Sequence, residues 1–228
     1  MTNQEIFELN EKIQNVLDKL PVEELVALTA SELHEIWKKT TYIKDENGNV
    51  ILDEKGNPKQ VEKWKKLNPD ESPEEKHYVE AILRDERAFT LPFIRKEDDG
   101  KTISINIAKM EYKQLSPHWQ KENREAAEVA VELTLDNFTY LANPNQRDVL
   151  VHVIGSAIHL LWKNRPANAY AKETELGQRY SKISMDEKMK DVRHIFIAEK
   201  SIAYIAKKLG VDKELEAVNV LKNNPNKR

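Results

Sequence analysis

Two histidine–tryptophan pairs are the residues of this chain whose types and spacing could do chemistry. His34 lies three positions before Trp37, and His159 lies three positions before Trp162. Side chains three positions apart share one face of a helix, so each pair would place an imidazole beside an indole. An indole can stack on a planar heterocycle, and such a contact contributes ~1–3 kcal/mol. The pairs therefore predict either a stacking site or, because Trp is usually buried, two pieces of core.

The two pairs belong to a longer internal repeat. His34 and Trp37 align with His159 and Trp162 at an offset of 125 residues (34 to 159). Further identities at this offset join Leu25-Val26, Ser31 and Lys38 to Leu150-Val151, Ser156 and Lys163. A second block aligns at an offset of 68 residues (112 to 180), with Tyr112, Leu115 and Ser116 matching Tyr180, Ile183 and Ser184. We therefore interpret the chain as a duplicated unit, whose first copy carries additional residues at about 41–107.

The elements that would position these residues are mainly helices. Apolar residues at intervals of three and four predict helices in the first 40 residues. Capping patterns predict further helices beginning after Ser72, Ser116, Asn143 and Ser184, with Gly210 as a C-cap. Two small hairpins are predicted around Asn47-Gly48 and Gly100. The predicted fold class is mainly α: a first helical repeat at 1–142 with a hairpin insertion at about 41–107, a second at 143–222, and a disordered tail at 223–228.

The repeated pattern resembles the bacterial and phage relatives of the repeat domain of ryanodine receptors. The second copy carries the resemblance best, in Ile158-His159-Leu-Leu-Trp162-Lys followed by Tyr180-Ser-Lys-Ile183-Ser-Met-Asp-Glu187-Lys188-Met-Lys190-Asp191. The first copy matches through Leu33-His34-Glu35-Ile36-Trp37 and the segment that begins at Tyr112. The chain departs from the family in lacking the Gly-Trp step after the first helix and in carrying the 41–107 insertion.

The resemblance implies a ligand. In ryanodine receptors, paired repeats of this kind form a cleft that takes adenine nucleotides and drug-like aromatic molecules. The corresponding expectation is that two inward-facing repeats hold a small, planar, anionic ligand, such as a nucleotide or a nucleotide signal, between Trp37 and Trp162. A phage or bacterial protein that sequesters a signal would suit such a module. The candidate ligand-binding residues are His34, Trp37, Lys38, Tyr112, His159, Trp162, Lys163, Arg165, Arg179 and Tyr180.

The amino-acid composition excludes several other classes of protein. The 228 residues carry a net charge of −3, so no bulk basic field favours nucleic acid or an anionic membrane surface. The absence of Cys excludes disulfides and Cys-based zinc sites. The first dozen residues lack the basic and apolar regions of a signal peptide, and no apolar run reaches the roughly 18 residues of a membrane span. We therefore expect a cytoplasmic protein.

Motifs of known catalytic sites are also missing. His34 lacks the second His, four positions on, that would place two zinc ligands on one helical face. Neither a nucleophile elbow nor a glycine-rich phosphate loop occurs. We expect a binding protein with no catalytic residues, no metal ligands and no cofactor. The alternative is a protein-interaction or assembly scaffold, homo-oligomers included, in which the His/Trp pairs are structural core and the hairpins contact a partner.

Overall fold

Helices dominate the computed structural model, which describes residues 3–164 and 173–216. Within these ranges the chain forms eight α-helices and three short strands. The helices are α1 Asn3–Leu17, α2 Val22–Thr40, α3 Pro73–Arg84, α4 Pro117–Asp136, α5 Phe138–Leu141, α6 Pro144–Asn164, α7 Met185–Leu209 and α8 Asp212–Glu216. The strands are β1 Trp64–Lys66, β2 Ile94–Lys96 and β3 Ile103–Asn106. The predicted mainly α fold class with small β elements is confirmed.

Two compact units divide the chain differently from the two predicted repeats. Residues 30–123 form one unit, called here the central unit, and residues 1–29 together with 124–228 form the discontinuous unit. In the discontinuous unit α6 and α7 pack along one another. A buried hydrogen bond of 3.0 Å from Thr29 Oγ1 to Ser201 Oγ ties the first part of α2 to α7. The start of α2 and most of α4 therefore belong to the discontinuous unit.

A three-stranded antiparallel sheet organises the core of the central unit. Its strand order is β1-β3-β2, and all four residues of β3 are buried. The predicted hairpin at Gly100 joins β2 to β3, whereas β1 was not predicted. The buried core residues of this unit, some of them on the strands, are Leu67, Val79, Ile82, Ile94, Ile103, Ile105, Ile107, Met110 and Leu115. Trp37, Tyr112 and Trp119 pack against this core, so the first His/Trp pair rests on it.

The predicted turn at Asn47-Gly48 is also formed, within an exposed segment called here the hairpin arm, residues 41–61. Backbone hydrogen bonds link its three extended stretches, with Ile43 N donating to Lys59 O and Ile51 N to Ile43 O. Most of its side chains are exposed. The arm is therefore held by its backbone and its turns, with little core of its own.

The helix starts follow the predicted caps with one exception. Ser72 Oγ and Ser184 Oγ accept hydrogen bonds from the backbone three residues on, and Gly210 ends α7 with φ 72°. The predicted cap at Ser116 is wrong. At the start of α4, His118 N donates to Glu75 Oε2 at 3.0 Å, and the buried Ser116 hydroxyl has no hydrogen-bond partner among the described residues. A carboxylate from α3 has thus replaced the serine.

None of the helices in residues 3–164 and 173–216 combines the length and the apolar character that a membrane crossing requires.

Candidate functional site

The first histidine–tryptophan motif lies in the central unit and consists of His34, Trp37, Met110 and Tyr112. His34 is only 2% exposed, and its Nε2 lies 2.9 Å from Met110 O. Because a carbonyl oxygen only accepts hydrogen bonds, Nε2 must carry the proton. The imidazole stacks on the half-buried Trp37 ring, with centroids 5.7 Å apart and an interplanar angle of 24°. The histidine therefore fixes both the loop before Tyr112 and the orientation of the indole.

The second motif lies in the discontinuous unit and consists of His159, Trp162, Gln178 and Tyr180. His159 is 4% exposed, and its Nε2 lies 3.2 Å from Gln178 O. It stacks on the half-buried Trp162 with centroids 6.2 Å apart and an angle of 26°. Met110 and Gln178 each lie two residues before the Tyr of their block. The anchoring bond therefore joins the same pair of positions in both motifs.

A buried carboxylate distinguishes the second motif. Asp191 Oδ2, on α7, lies 3.2 Å from His159 Nδ1, the ring nitrogen that Gln178 leaves available. Burial and repulsion from the Glu187 carboxylate raise the pKa of Asp191 to about 7, although Lys190 opposes the shift. An acceptor oxygen facing a lone-pair nitrogen is unfavourable, so the two groups need one proton between them. The Asp191 carboxyl carries that proton below about pH 7.

A tyrosine extends this polar cluster. Tyr180 Oη lies 3.1 Å from His152 Nδ1, and the Tyr180 ring lies 5.9 Å from that of His159. Burial and the charge of Asp191 raise the pKa of Tyr180 to about 12. The hydroxyl occupies space above Gly155, where an added Cβ would come within 2.8 Å of Oη. In this motif the chain thus joins two imidazoles, a phenol and a carboxyl.

The predicted cations differ in how far they are already engaged. Lys38 Nζ donates to Glu35 Oε1 at 2.9 Å, so its charge is compensated on α2 itself. Lys163 follows Trp162 in the last turn of α6 and is half-buried. Arg179 is exposed immediately before Tyr180. Arg165 lies outside the described residues.

The chemistry open to these groups is limited by their hydrogen bonds. His34 and His159 each commit Nε2 to a backbone carbonyl, so that nitrogen cannot take a proton from a substrate. Burial also lowers the pKa of His34, which favours the neutral form of its ring. Within residues 3–164 and 173–216, no group of three or more His, Cys, Asp or Glu side chains is arranged to hold a metal ion. What the motifs do present is a fixed indole beside polar groups.

Several participants were missed from the sequence. Met110 and Gln178 act through backbone carbonyls, which side-chain patterns do not reveal. Asp191 is part of the repeat pattern quoted above, so the sequence offered one indication that it belongs to this motif. His152 does not have the spacing from other histidines that metal ligands show. It lies seven residues before His159, however, and therefore on the same helical face.

The chain was also compared with known proteins. Models of protein families, curated proteins and solved structures gave no match.

Proposed function

We propose that this chain is a non-enzymatic binding protein, related to the ryanodine-receptor repeats, whose histidine–tryptophan motifs hold a small planar anionic ligand. A nucleotide or a nucleotide signal has the required chemistry. The observation that carries the proposal is the pair of indoles, Trp37 and Trp162, each half-buried and each stacked on a buried histidine. A duplicated unit is supported by the matching anchor bonds described above.

Rigidity is the physical reason why such an indole suits a ligand. Its histidine is held by a hydrogen bond to the backbone, so the ring pair has little freedom left to lose on binding. A side chain ordered in advance avoids a cost of about 0.5–1.5 kcal/mol that a mobile one would incur. Stacking on a planar base then adds to affinity without a specific hydrogen-bond pattern.

Charge favours the second motif as the stronger site. Lys163 adjoins Trp162, and Lys188 Nζ lies 5.9 Å from the centroid of the Tyr180 ring. In the first motif Lys38 is already paired with Glu35, so attracting a phosphate there would require that ion pair to be broken. We therefore assign the anionic part of the ligand to the side of Lys163 and Arg179.

A thermal-shift panel tests the proposal. AMP, ATP and cyclic AMP are the planar anionic probes, and pyrophosphate is an anionic probe without a base. At a concentration 100 times Kd, a ligand stabilises the folded protein by about 2.7 kcal/mol, so Tm should rise by several degrees with the nucleotides and not with pyrophosphate. Mass spectrometry should recover the nucleotide unchanged, since a binding protein does not turn it over.

Two tryptophan variants locate the site. Trp162→Ala should abolish the nucleotide shift, and Trp64→Ala, which removes an indole of the sheet outside both motifs, should retain it. A response that needs both Trp37 and Trp162 at one ligand per chain would support the shared cleft expected from the sequence. If no nucleotide raises Tm, or if Trp162→Ala binds normally, the proposal fails.

An assembly scaffold is the second candidate, and the hairpin arm favours it. Val50 and Leu52 are 37% and 52% exposed, and bridges pair them with Lys44 and Pro58, which puts these residues on one face of the arm. Such a face is suited to a protein partner. Unfolding of both Trp37→Ala and Trp162→Ala, without any ligand response, would support this candidate over the first.

A further inference from the structure

The segment that leads into α7, residues 173–184, lies against α6 with few apolar contacts. It forms two short 3-10 helices, Glu175–Gly177 and Tyr180–Lys182. Within this described stretch only Ile183 is buried. A segment with so few buried apolar side chains opens at a low free-energy cost. Its polar contacts with α6 therefore contribute much of what holds it in place.

Two imidazoles of α6 make such contacts. His159 Nε2 donates to Gln178 O at 3.2 Å, and Tyr180 Oη lies 3.1 Å from His152 Nδ1. The tyrosine contact tolerates either charge state of the imidazole, because a hydroxyl both donates and accepts hydrogen bonds. The His159 contact is more restrictive, since the second nitrogen of that ring faces Asp191 at 3.2 Å.

We propose that His159 and Asp191 form a pH-sensitive latch, which holds the 173–184 segment on α6 while the carboxyl carries its proton and releases it when that proton is lost. With Nε2 bound to Gln178 O, Nδ1 of the neutral ring has only a lone pair to offer, as has a carboxylate oxygen. The two side chains are 5% and 13% exposed, so water screens their repulsion poorly. The imidazole relieves the repulsion by turning away, and this breaks its bond to Gln178.

The surroundings of Asp191 set the pH at which the latch acts. The titratable and charged groups around the pair come from three elements: Glu187, Lys188 and Lys190 from α7, His152 from α6, and Tyr180 from the segment. Burial and the Glu187 carboxylate raise the pKa of Asp191 to about 7, against the opposing effect of Lys190. In the released state the solvated carboxyl returns to its ordinary pKa of about 4. The closed state is therefore favoured most below about pH 4 and progressively less up to about pH 7.

The latch has a consequence for the ligand, and this consequence alone rests on the proposed function. The segment carries Arg179 and Tyr180, and His159 stacks on Trp162. Release of the segment removes both groups from the site and frees the indole. Ionised Asp191 also adds a negative charge close to an anionic ligand. The site should therefore bind its ligand more weakly as the pH rises.

Hydrogen exchange of the full chain, without ligand, tests the latch. Asp191→Asn is neutral at every pH and still donates to His159 Nδ1. The ratio of the exchange rate of residues 173–184 in the natural chain to that in Asp191→Asn, taken at equal pH, should rise roughly 10- to 100-fold from pH 4.5 to pH 8. Asp136→Asn, which changes an exposed carboxyl, should exchange as the natural chain does. A ratio that does not change with pH, or one that rises equally along the buried part of α7, overturns the proposal.

Glu187→Gln provides a second variant that leaves Asp191 in place. Glu187 contributes to the raised pKa of Asp191, so without its charge that pKa should fall. The pH-dependent rise in exchange of residues 173–184 should then level off at a lower pH than in the natural chain. A transition at the same or a higher pH would show that Asp191 is not the group that titrates.

Cyclic AMP tests the link to the ligand, because its phosphodiester keeps one negative charge across this pH range. In a fluorescence titration, Kd for the natural chain should rise roughly tenfold from pH 5.5 to pH 8. For Asp191→Asn the ratio of the two Kd values should be close to one. Binding by the natural chain with the same Kd at both pH values overturns the link to the ligand. If cyclic AMP does not bind while hydrogen exchange responds as expected, the proposed function fails and the latch is supported.

Discussion

The two histidine–tryptophan motifs share a scaffold but differ in charge. In both, a buried histidine donates from Nε2 to the carbonyl two residues before a tyrosine and stacks on an indole. The second motif adds Asp191 beside the other ring nitrogen. The repeat offset places Asn123 at the corresponding position of the first motif, where its Nδ2 donates to Trp119 O. The first motif therefore carries an uncharged amide where the second carries a titratable carboxyl.

Tyr112 and Tyr180 make different hydrogen bonds for a steric reason. Tyr180 Oη reaches His152 because Gly155 leaves room for it. The residue at the corresponding offset in the first motif is Ala30, and there Tyr112 Oη donates to Gln120 O at 3.3 Å instead. The histidine anchor is common to both motifs. The polar groups around it distinguish the second motif from the first.

The largest effect should come from breaking the anchor itself. His34→Ala leaves a cavity and an unpaired Met110 carbonyl, so we expect it to lower the free energy of unfolding by about 2–4 kcal/mol. His159→Ala should cost a similar amount if the anchors are equivalent. Urea unfolding at pH 7 measures both, and the exposed His77→Ala serves as the control. A loss below about 1 kcal/mol at either position would show that the anchor is dispensable there.

A smaller effect on the free energy of unfolding should depend on pH and should occur in the second motif but not in the first. The pKa of Asp191 is higher in the folded chain than in the unfolded one, so its contribution to stability is fully present below about pH 4 and is lost as the pH rises through about 7. Asp191→Asn is always neutral and resembles the Asn123 of the first motif. From pH 4.5 to pH 8, the variant should therefore gain roughly 1–3 kcal/mol relative to the natural chain.

Chemical unfolding across that pH range provides the measurement for Asp191→Asn. Asp136→Asn, an exposed carboxyl at the end of α4, should show no comparable gain. If Asp191→Asn instead lost stability at pH 8, Asp191 would be a charged ion-pair partner of His159, and the shared-proton description would be wrong.

The smallest effect concerns the two serines at the corresponding helix starts. Ser184 caps α7, so Ser184→Ala should cost about 1 kcal/mol. Ser116→Ala should change stability by less than about 0.5 kcal/mol or raise it slightly, because the buried hydroxyl it removes has no partner among the described residues. Thermal unfolding of the two variants checks the contrast. Equal losses would mean that Ser116 caps α4 after all.

Local patterns predicted much of this structure. Helical periodicity, Ser72, Ser184 and Gly210 located most of the helices, because these signals act within a few residues of the chain. The sequence also pointed to both indoles and both histidines. It did not predict the cap at α4, which Glu75 supplies from another helix, since a contact over more than 40 residues leaves no local pattern.

The division of the chain into two units could not be predicted from local sequence patterns either. A hydrogen bond such as that from Thr29 to Ser201 joins residues far apart in the sequence, whereas the repeat suggested a simple boundary between copies. The charge state of the second motif was missed for the same reason. The role of Asp191 depends on the burial and the neighbours that folding provides.

The Glu75 contact also bears on any attempt to shorten the chain. Ser116 Oγ has no hydrogen-bond partner among the described residues, so the start of α4 depends on a carboxylate that lies 43 residues earlier. Deleting residues 41–107 would remove Glu75 and leave the His118 amide without this acceptor. The segment cannot therefore be trimmed away unless α4 is given a new cap.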